Sequence, residues 1–484
     1  MLATRVGSAV PPPSGRAPRM NIAPRRVDNL MKHLDHYHQL FQPAFTRFEQ
    51  ARWARKYLEG QLLDIDRKSI EPMANALVGG NVQAMQQFIS DSPWSDDEVI
   101  EIHQRLVAET LGRPDGVAIL DGCDFPKQGS DSVGVARQYC GPLGKIANCQ
   151  ASVVLVYASE AGFTMMDRRL YLPEVWFTPD YHDRWERTGI PDDVTFRTKT
   201  ELAAEMIHTV CSRGVVPIRW VTMDEGYGKS PALLQQIVDD HRWFFAEIPR
   251  ITRAWRHRPK VVPPIENAVG RPQTQTHLAP DAPASQRVDD LVASLPRTAW
   301  HTFIIHEGSK GPQQIDLAAV QVVMAEDDLP GRDEWLVVRR RQAQQPITDW
   351  KFYRSNAPAD VSIKTLARLT AWRWPVETVI EECKGELGLD HYEVRSWRGW
   401  HHHTTLTMLS HHFLVRERVE MGPEAPALTV SQVRHLLQVT LPRQQFDAQA
   451  VLDELAKMQQ RNYAAYKSHR KRTRRQNHRT SPPK

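Results

Sequence analysis

The order of apolar runs between residues 113 and 250 restricts the fold more than any other feature of this chain. Strand-like runs come first, at "GVAILDG", "CQASVVLVYAS" and "GFTMMDRRLYLPE". A helical pattern follows at "TKTELAAEMIHTVCSRG", then a strand at "IRWVTMD", a helix at "SPALLQQIVDDH" and a strand at "WFFAEIP". Strands in direct succession build an antiparallel side of a sheet, and strands alternating with helices build a parallel side. The pattern predicts one mixed α/β sheet.

The flanks differ in character. Residues 1–27 are rich in Pro, Gly and Arg without periodicity and are expected to be disordered, with Met20 an alternative start. Residues 28–112 carry apolar residues at three and four spacing and predict a helical N-terminal domain. The first part of the sheet domain spans 113–250, and 251–361 combines a Pro-rich linker with strand candidates such as "IDLAAVQVVMAE" and "EWLVVRRR", a β-rich insertion. Helices return in 362–420, more helices close 421–466, and 467–484 is a basic tail.

Composition narrows the function classes. The hydrophobic fraction of 41% is ordinary for a soluble protein, and the longest apolar stretch, "ASVVLVYA", is far below the roughly 18 residues a membrane helix needs. No membrane association is expected. Five scattered cysteines without a Cys-x-x-Cys pair suggest a reducing cytoplasm, with neither a disulfide framework nor a structural zinc site. The net charge is +5, yet the tail alone holds eight Lys or Arg and no acid. Such a run binds polyanions through counterion release or merely solubilises the chain.

Two aspartates stand at strand ends: Asp121 closes "GVAILD" and Asp224 closes "IRWVTMD". If the strands are neighbours, the carboxylates sit side by side, a set suited to Mg²⁺ or Mn²⁺. An aspartate after a strand is also a common turn or cap residue, so the pair alone leaves both readings open. The third element is "RWPVETVIEECKGELG". Pro375 fits a first helical turn, Val376, Ile380, Cys383 and Leu387 fall on one face, and Glu377, Glu381 and Lys384 fall opposite, with Arg373 just upstream. Glu377 lies where the helix dipole favours a charged carboxylate. A salt-bridged surface helix would show the same spacing.

Four stretches carry a family resemblance: "DRKSIEPMA" with "QQFISDSPW", "DFPKQGSDSVGVARQYCGPLGKIANCQ", "DEGYG", and "ELGLDHYEVRSWRGWHHH". From about residue 30 to 420 the chain resembles the DDE transposases of bacterial insertion sequences, in the group typified by insertion sequence 701. That group lies within the superfamily with a Tyr, Arg, Glu, Lys signature. The resemblance implies a ribonuclease H-like sheet interrupted by a β insertion, with catalytic acids at Asp121, Asp224 and Glu377. The signature maps to Thr370, Arg373, Glu377 and Lys384, so threonine replaces the tyrosine. Gly122 stands where a second aspartate is common, with Asp124 displaced by two.

The function implied is cleavage of transposon ends and their joining to target DNA, with two Mg²⁺ ions (Mn²⁺ as substitute) held by Asp121, Asp224 and Glu377. Arg373 and Lys384 would neutralise phosphate, and Glu381 would support the site or be a plain surface acid. Further DNA contacts are expected from the helical N-terminal domain (28–112), from Lys127 and Arg137 on a loop, and from Arg395 and Arg398 interleaved with Trp397 and Trp400, though such tryptophans also pack cores. The partners implied are terminal inverted repeats and target DNA, with a homodimer on DNA. His401–His403, His411 and His412 lack a cysteine or carboxylate spaced to complete a zinc site. The competing readings are a DNA-binding protein without catalysis and a nuclease without strand transfer.

Overall fold

The computed structural model describes residues 20–264, 275–308, 311–341 and 350–444, together with Thr4–Arg5 and scattered positions from 452 to 470. The basic tail lies almost wholly outside the described residues.

The central sheet is built from β1 (Gly116–Pro126), β2 (Ala136–Cys140), β3 (Lys145–Ser159), β4 (Gly162–Tyr171), β5 (Ile218–Met223) and β6 (Trp243–Ile248). β1 pairs antiparallel with β3, and β3 antiparallel with both β4 and β2. On its other side β1 runs parallel to β5, and β5 parallel to β6. The order β4-β3-β1-β5-β6 is the mixed sheet predicted, and it is consistent with a ribonuclease H-like fold. Val117 to Leu120 are fully buried in succession because both faces of β1 are covered.

The insertion supplies β7 (His301–Gly308), β8 (Gly311–Glu326), β9 (Leu329–Arg341) and β10 (Trp350–Ser355). They extend the same sheet rather than forming a separate one: β10 pairs antiparallel with β6, Phe352 opposite Ile248. A small second apolar cluster, including Leu291, Val338 and Phe352, lies under this extension.

Helices pack on the sheet or on one another: α1 (Phe48–Leu62), which lies against α6, α2 (Asp96–Leu111), α3 (Lys199–Arg213), α4 (Pro231–Asp239), α5 (Trp374–Gly385) and α6 (Trp397–Met421). α2 starts at a capped turn, with the Ser95 hydroxyl accepting from the Glu98 amide at 3.2 Å. The N-terminal helices share one continuous apolar core with the sheet and α6. Order also begins earlier than expected. Pro24–Asp28 is helical, the Asn21 amide donates to the Glu424 carbonyl at 3.0 Å, and Arg26 lies 3.5 Å from Glu420. Those C-terminal partners are what the composition of 1–27 could not show. None of the described helices is long and apolar enough to cross a membrane.

α6 is buried although it reads "HHHTTLTMLSHH". Most of its buried polar groups find partners inside, Trp400 Nε1 and His412 Nε2 excepted. Tyr57 bonds Nδ1 of His403 at 2.8 Å while Nε2 reaches the Leu389 carbonyl at 3.1 Å. Gln61 donates to Thr407 (2.7 Å) and accepts from Ser410 (2.8 Å). Arg168 donates to Thr404 (3.1 Å), to Thr405 (2.8 Å) and to Asp96. Among these histidines, His402, His403 and His411 are held by hydrogen bonds to protein partners.

Burial makes these imidazoles hard to charge. It lowers His103, His402 and His403 to about 4 and His401 to about 3, from an ordinary 6.5. A depressed folded-state value stabilises the fold fully above about 6.5 and loses that contribution as pH falls through the folded values. Chemical denaturation should therefore show stability dropping from pH 6.5 to 4, each histidine contributing on the order of 1 kcal/mol or more. Stability that is flat across this range would contradict the buried network.

Candidate active site

The strand carrying Asp121 does not end there. β1 keeps pairing with β3 through Asp121 (opposite Val154) to Pro126 (opposite Cys149). What ends is its other neighbour: the last β1–β5 pair is Leu120 with Met223. The expectation that Asp121 closes its strand is thus corrected. Cys123 and Phe125 are buried and alternate with Asp124, a strand pattern that runs on. Asp121 marks where one edge of a rigid strand opens.

Asp224 follows β5 at that opening and caps the short helix Glu225–Gly228, its carboxylate accepting from the Tyr227 amide at 3.2 Å. The turn must hug β6. A Cβ on Gly228 would fall 2.2 Å from the Glu247 carbonyl oxygen, so "DEGYG" needs glycine at its end.

α5 brings the third acid. Pro375 sits in its first turn, and Val376, Val379 and Cys383 are buried, with Val379 taking the place expected of Ile380. Glu377 faces out, and Arg373, one residue before the helix, joins the elements. Its Nη1 is 3.4 Å from Asp121 Oδ2 and its Nη2 is 2.8 Å from Glu377 Oε1. The carboxylates of Asp224 and Glu247 also favour the charge on Arg373.

Asp121 is shaped by this crowd. Burial raises its pKa to about 6; Arg373 opposes the rise, while Asp224 and Glu377 add to it by repulsion. The three acids do not form one tight cluster: among the described residues, the trio drawn within 4.8 Å is His33, Glu417 and Glu420, on α6 and its N-terminal neighbour. A single ion shared by all three acids is therefore not the arrangement presented. Two ions about 3.5 to 4 Å apart ask for less, since only Asp121 has to reach both. The donors are all carboxylate oxygens, which fits Mg²⁺ or Mn²⁺.

The remaining sequence-derived residues have mixed placements. Lys384 donates to the Asp124 carbonyl at 3.0 Å, close to the acids. Lys127 is half-buried with its ammonium 3.6 Å from the Tyr392 ring centre, and burial lowers it to about 8. Arg137 lies on β2 rather than on a loop, and it is exposed. Arg395 is exposed, 3.6 Å from Asp131, and Arg398 donates to the Asp91 carbonyl at 2.8 Å. Trp400 is buried and Trp397 packs on His401, so these rings serve the fold. Thr370 is also buried, its hydroxyl donating to the Ala367 carbonyl at 2.8 Å, so it offers nothing in place of the signature tyrosine. Glu381 is exposed, whereas its neighbour Glu382 bonds His411 at 2.9 Å.

Two contributors escaped the sequence. A cavity of about 400 Å³ opens beside Arg373 and Glu377, and its far wall is Arg339 and Lys351 from the insertion. Only the pairing of β10 with β6 brings them there. Tyr227, within "DEGYG", is buried and its amide donates to Asp224, with the charges of Asp121, Asp224 and Asp124 felt at its hydroxyl.

Comparison with known proteins bears on the family of this chain. The family model described as DDE superfamily endonuclease matches residues 40–312, a span that contains Asp121 and Asp224 and ends before Glu377. A protein described as the probable transposase for insertion sequence element IS701, from Microchaete diplosiphon, is 30% identical over 222 residues, 45% of this chain. The match spans about half of that relative's length, 54%.

The raised value at Asp121 gives a test. A raised carboxylate favours the fold below its ordinary value near 3.8, and that contribution is lost as pH rises through about 6. At pH 7.5 the charged side chain should cost the metal-free fold on the order of 1–3 kcal/mol. Asp121→Asn should then be more stable than the parent in denaturant with chelator at pH 7.5, with the gain vanishing near pH 4. A variant that is less stable at pH 7.5 would contradict burial as the main cause.

Proposed function

The chain belongs to the DDE superfamily endonucleases, and from that premise we propose that it is an insertion-sequence transposase, cutting transposon ends and joining them to target DNA. The observation that carries the reading is Arg373 bridging Asp121 and Glu377 where β1 loses its parallel neighbour, with Asp224 at the end of that neighbour.

Asp121 would be shared by two Mg²⁺ ions, with Asp224 and Glu377 each holding one; bound there, the pair supplies charge for the attacking and leaving oxygens of an in-line phosphoryl transfer. Every other part is the work of the chain. The sheet edge holds Asp121 rigidly, and the Asp224 cap holds its carboxylate by a backbone amide. The forked guanidinium of Arg373, placed between two acids, can meet a phosphate in a bidentate contact, and Lys384 adds a point charge. Arg339 and Lys351 line the neighbouring cavity with further positive charge, suited to a phosphate backbone. Arg137 and Arg395 remain exposed for more distant contacts. Two DNA ends have to be cut and joined together, so a homodimer assembled on terminal inverted repeats and target DNA follows, acting in the cytoplasm.

Asp121→Asn, Asp224→Asn and Glu377→Gln should each abolish Mg²⁺-dependent nicking of terminal-repeat DNA while leaving gel-shift affinity within a few-fold. Nicking at the parental rate in any one removes that residue from the site. A parent protein that shifts the DNA but never nicks it would mean a DNA-binding protein without catalysis, and hydrolysis without joined products would mean a nuclease.

Deleting 467–484 should weaken binding to any DNA sequence and flatten the dependence of log affinity on log salt. An unchanged slope would show that the tail does not touch DNA.

A further inference from the structure

Tyr227 is only 6% exposed, and among the described residues its hydroxyl oxygen is buried with no hydrogen-bond partner. Buried phenols normally have one. A phenol is a neutral hydrogen-bond donor at ordinary pH.

Gly122 explains the missing partner. A Cβ built there would lie 4.0 Å from the Tyr227 oxygen and 3.9 Å from the Ser152 carbonyl, ordinary contact distances. The space beside the hydroxyl is left by an absent side chain and is not closed by a clash. Two residues on, on the same face of β1, stands Asp124. One of its oxygens accepts from the Gly141 amide at 2.9 Å; the other, Oδ1, is buried without a hydrogen bond among the described residues, 3.8 Å from the Lys199 ammonium. An unmet donor and an unmet acceptor thus flank Gly122.

The same two residues carry the acids. The Gly122 amide donates to Asp121 Oδ1 at 2.7 Å, and the Tyr227 amide donates to Asp224 Oδ1 at 3.2 Å. Where Tyr227 meets Gly122 is therefore the joint between Asp121 and Asp224. We propose that Tyr227 is a positioning residue of the phosphoryl-transfer site, its hydroxyl bridged by a water over Gly122 to Asp124, so that this link fixes the spacing of Asp121 and Asp224 for divalent cations. The inference rests on the reading of those acids as the metal ligands.

The test is Mn²⁺ binding by the full chain without DNA, followed by calorimetry, with thermal denaturation alongside. Tyr227→Phe keeps the ring and removes the donor, and Gly122→Ala fits the available space while crowding the bridging position. Each should weaken Mn²⁺ binding about tenfold, as loss of a group that orients a ligand does. The melting temperature without metal should not fall, which a purely structural tyrosine would not predict. The double variant should be no weaker than either single one, because both remove the same link. If Asp121→Asn abolishes Mn²⁺ binding but Tyr227→Phe binds like the parent, the role of Tyr227 is overturned while the acid site stands. If Asp121→Asn itself binds like the parent, both are overturned.

Discussion

Three carboxylates brought to one edge of a sheet repel one another, and the architecture around them answers that repulsion. Arg373 is the direct answer, with one nitrogen toward Asp121 and another toward Glu377. Its balance is incomplete, because Asp121 is still held up to about 6 by burial and by its acidic neighbours. Residual negative charge on carboxylate oxygens is chemistry suited to divalent cations. On this reading the metal-free fold would give up stability at Asp121 above its raised pKa.

Such a cost needs a stiff frame. β1 is clamped by β3 along its whole length while β5 stops at Met223, so Asp121 is presented from the middle of a strand rather than from a loose end. Behind it, α6 ties sheet and N-terminal helices together through satisfied polar contacts such as Tyr57–His403, Gln61–Thr407 and Arg168–Thr405. Buried polar networks specify one arrangement because a shifted register would leave several groups unpaired. The insertion contributes on the opposite side, where β10 docks on β6 and sets Arg339 and Lys351 beside Glu377.

Much of this was legible in the sequence. The strand and helix succession from 113 to 250 reads from periodicity alone, and Arg373, Glu377 and Lys384 read from helical spacing. The legible part is local. The continuation of β1 past Asp121 was open to reading, since Cys123 and Phe125 alternate with Asp124, but the Gly and Pro in "GCDFP" mimic a turn. The burial of α6 was not, because "HHHTTLTMLSHH" has no apolar stripe and its partners Tyr37, Tyr57 and Gln61 lie some 350 residues away. Likewise no spacing rule announces that the insertion joins the same sheet, that Arg137 lies on a strand, or that Trp400 packs inward. Those placements come from long-range pairing, which one-dimensional patterns do not encode.

The central claim is that Asp121 serves two cations at once, with Asp224 on one side and Glu377 on the other. Anomalous diffraction from crystals of the protein soaked in Mn²⁺ with a bound DNA end tests it most directly. The account predicts two peaks about 3.5 to 4 Å apart, both within coordination distance of Asp121, one also on Asp224 and one on Glu377. Peaks that bypass Asp121, or a metal seated elsewhere with the three acids left in contact with Arg373, would contradict it.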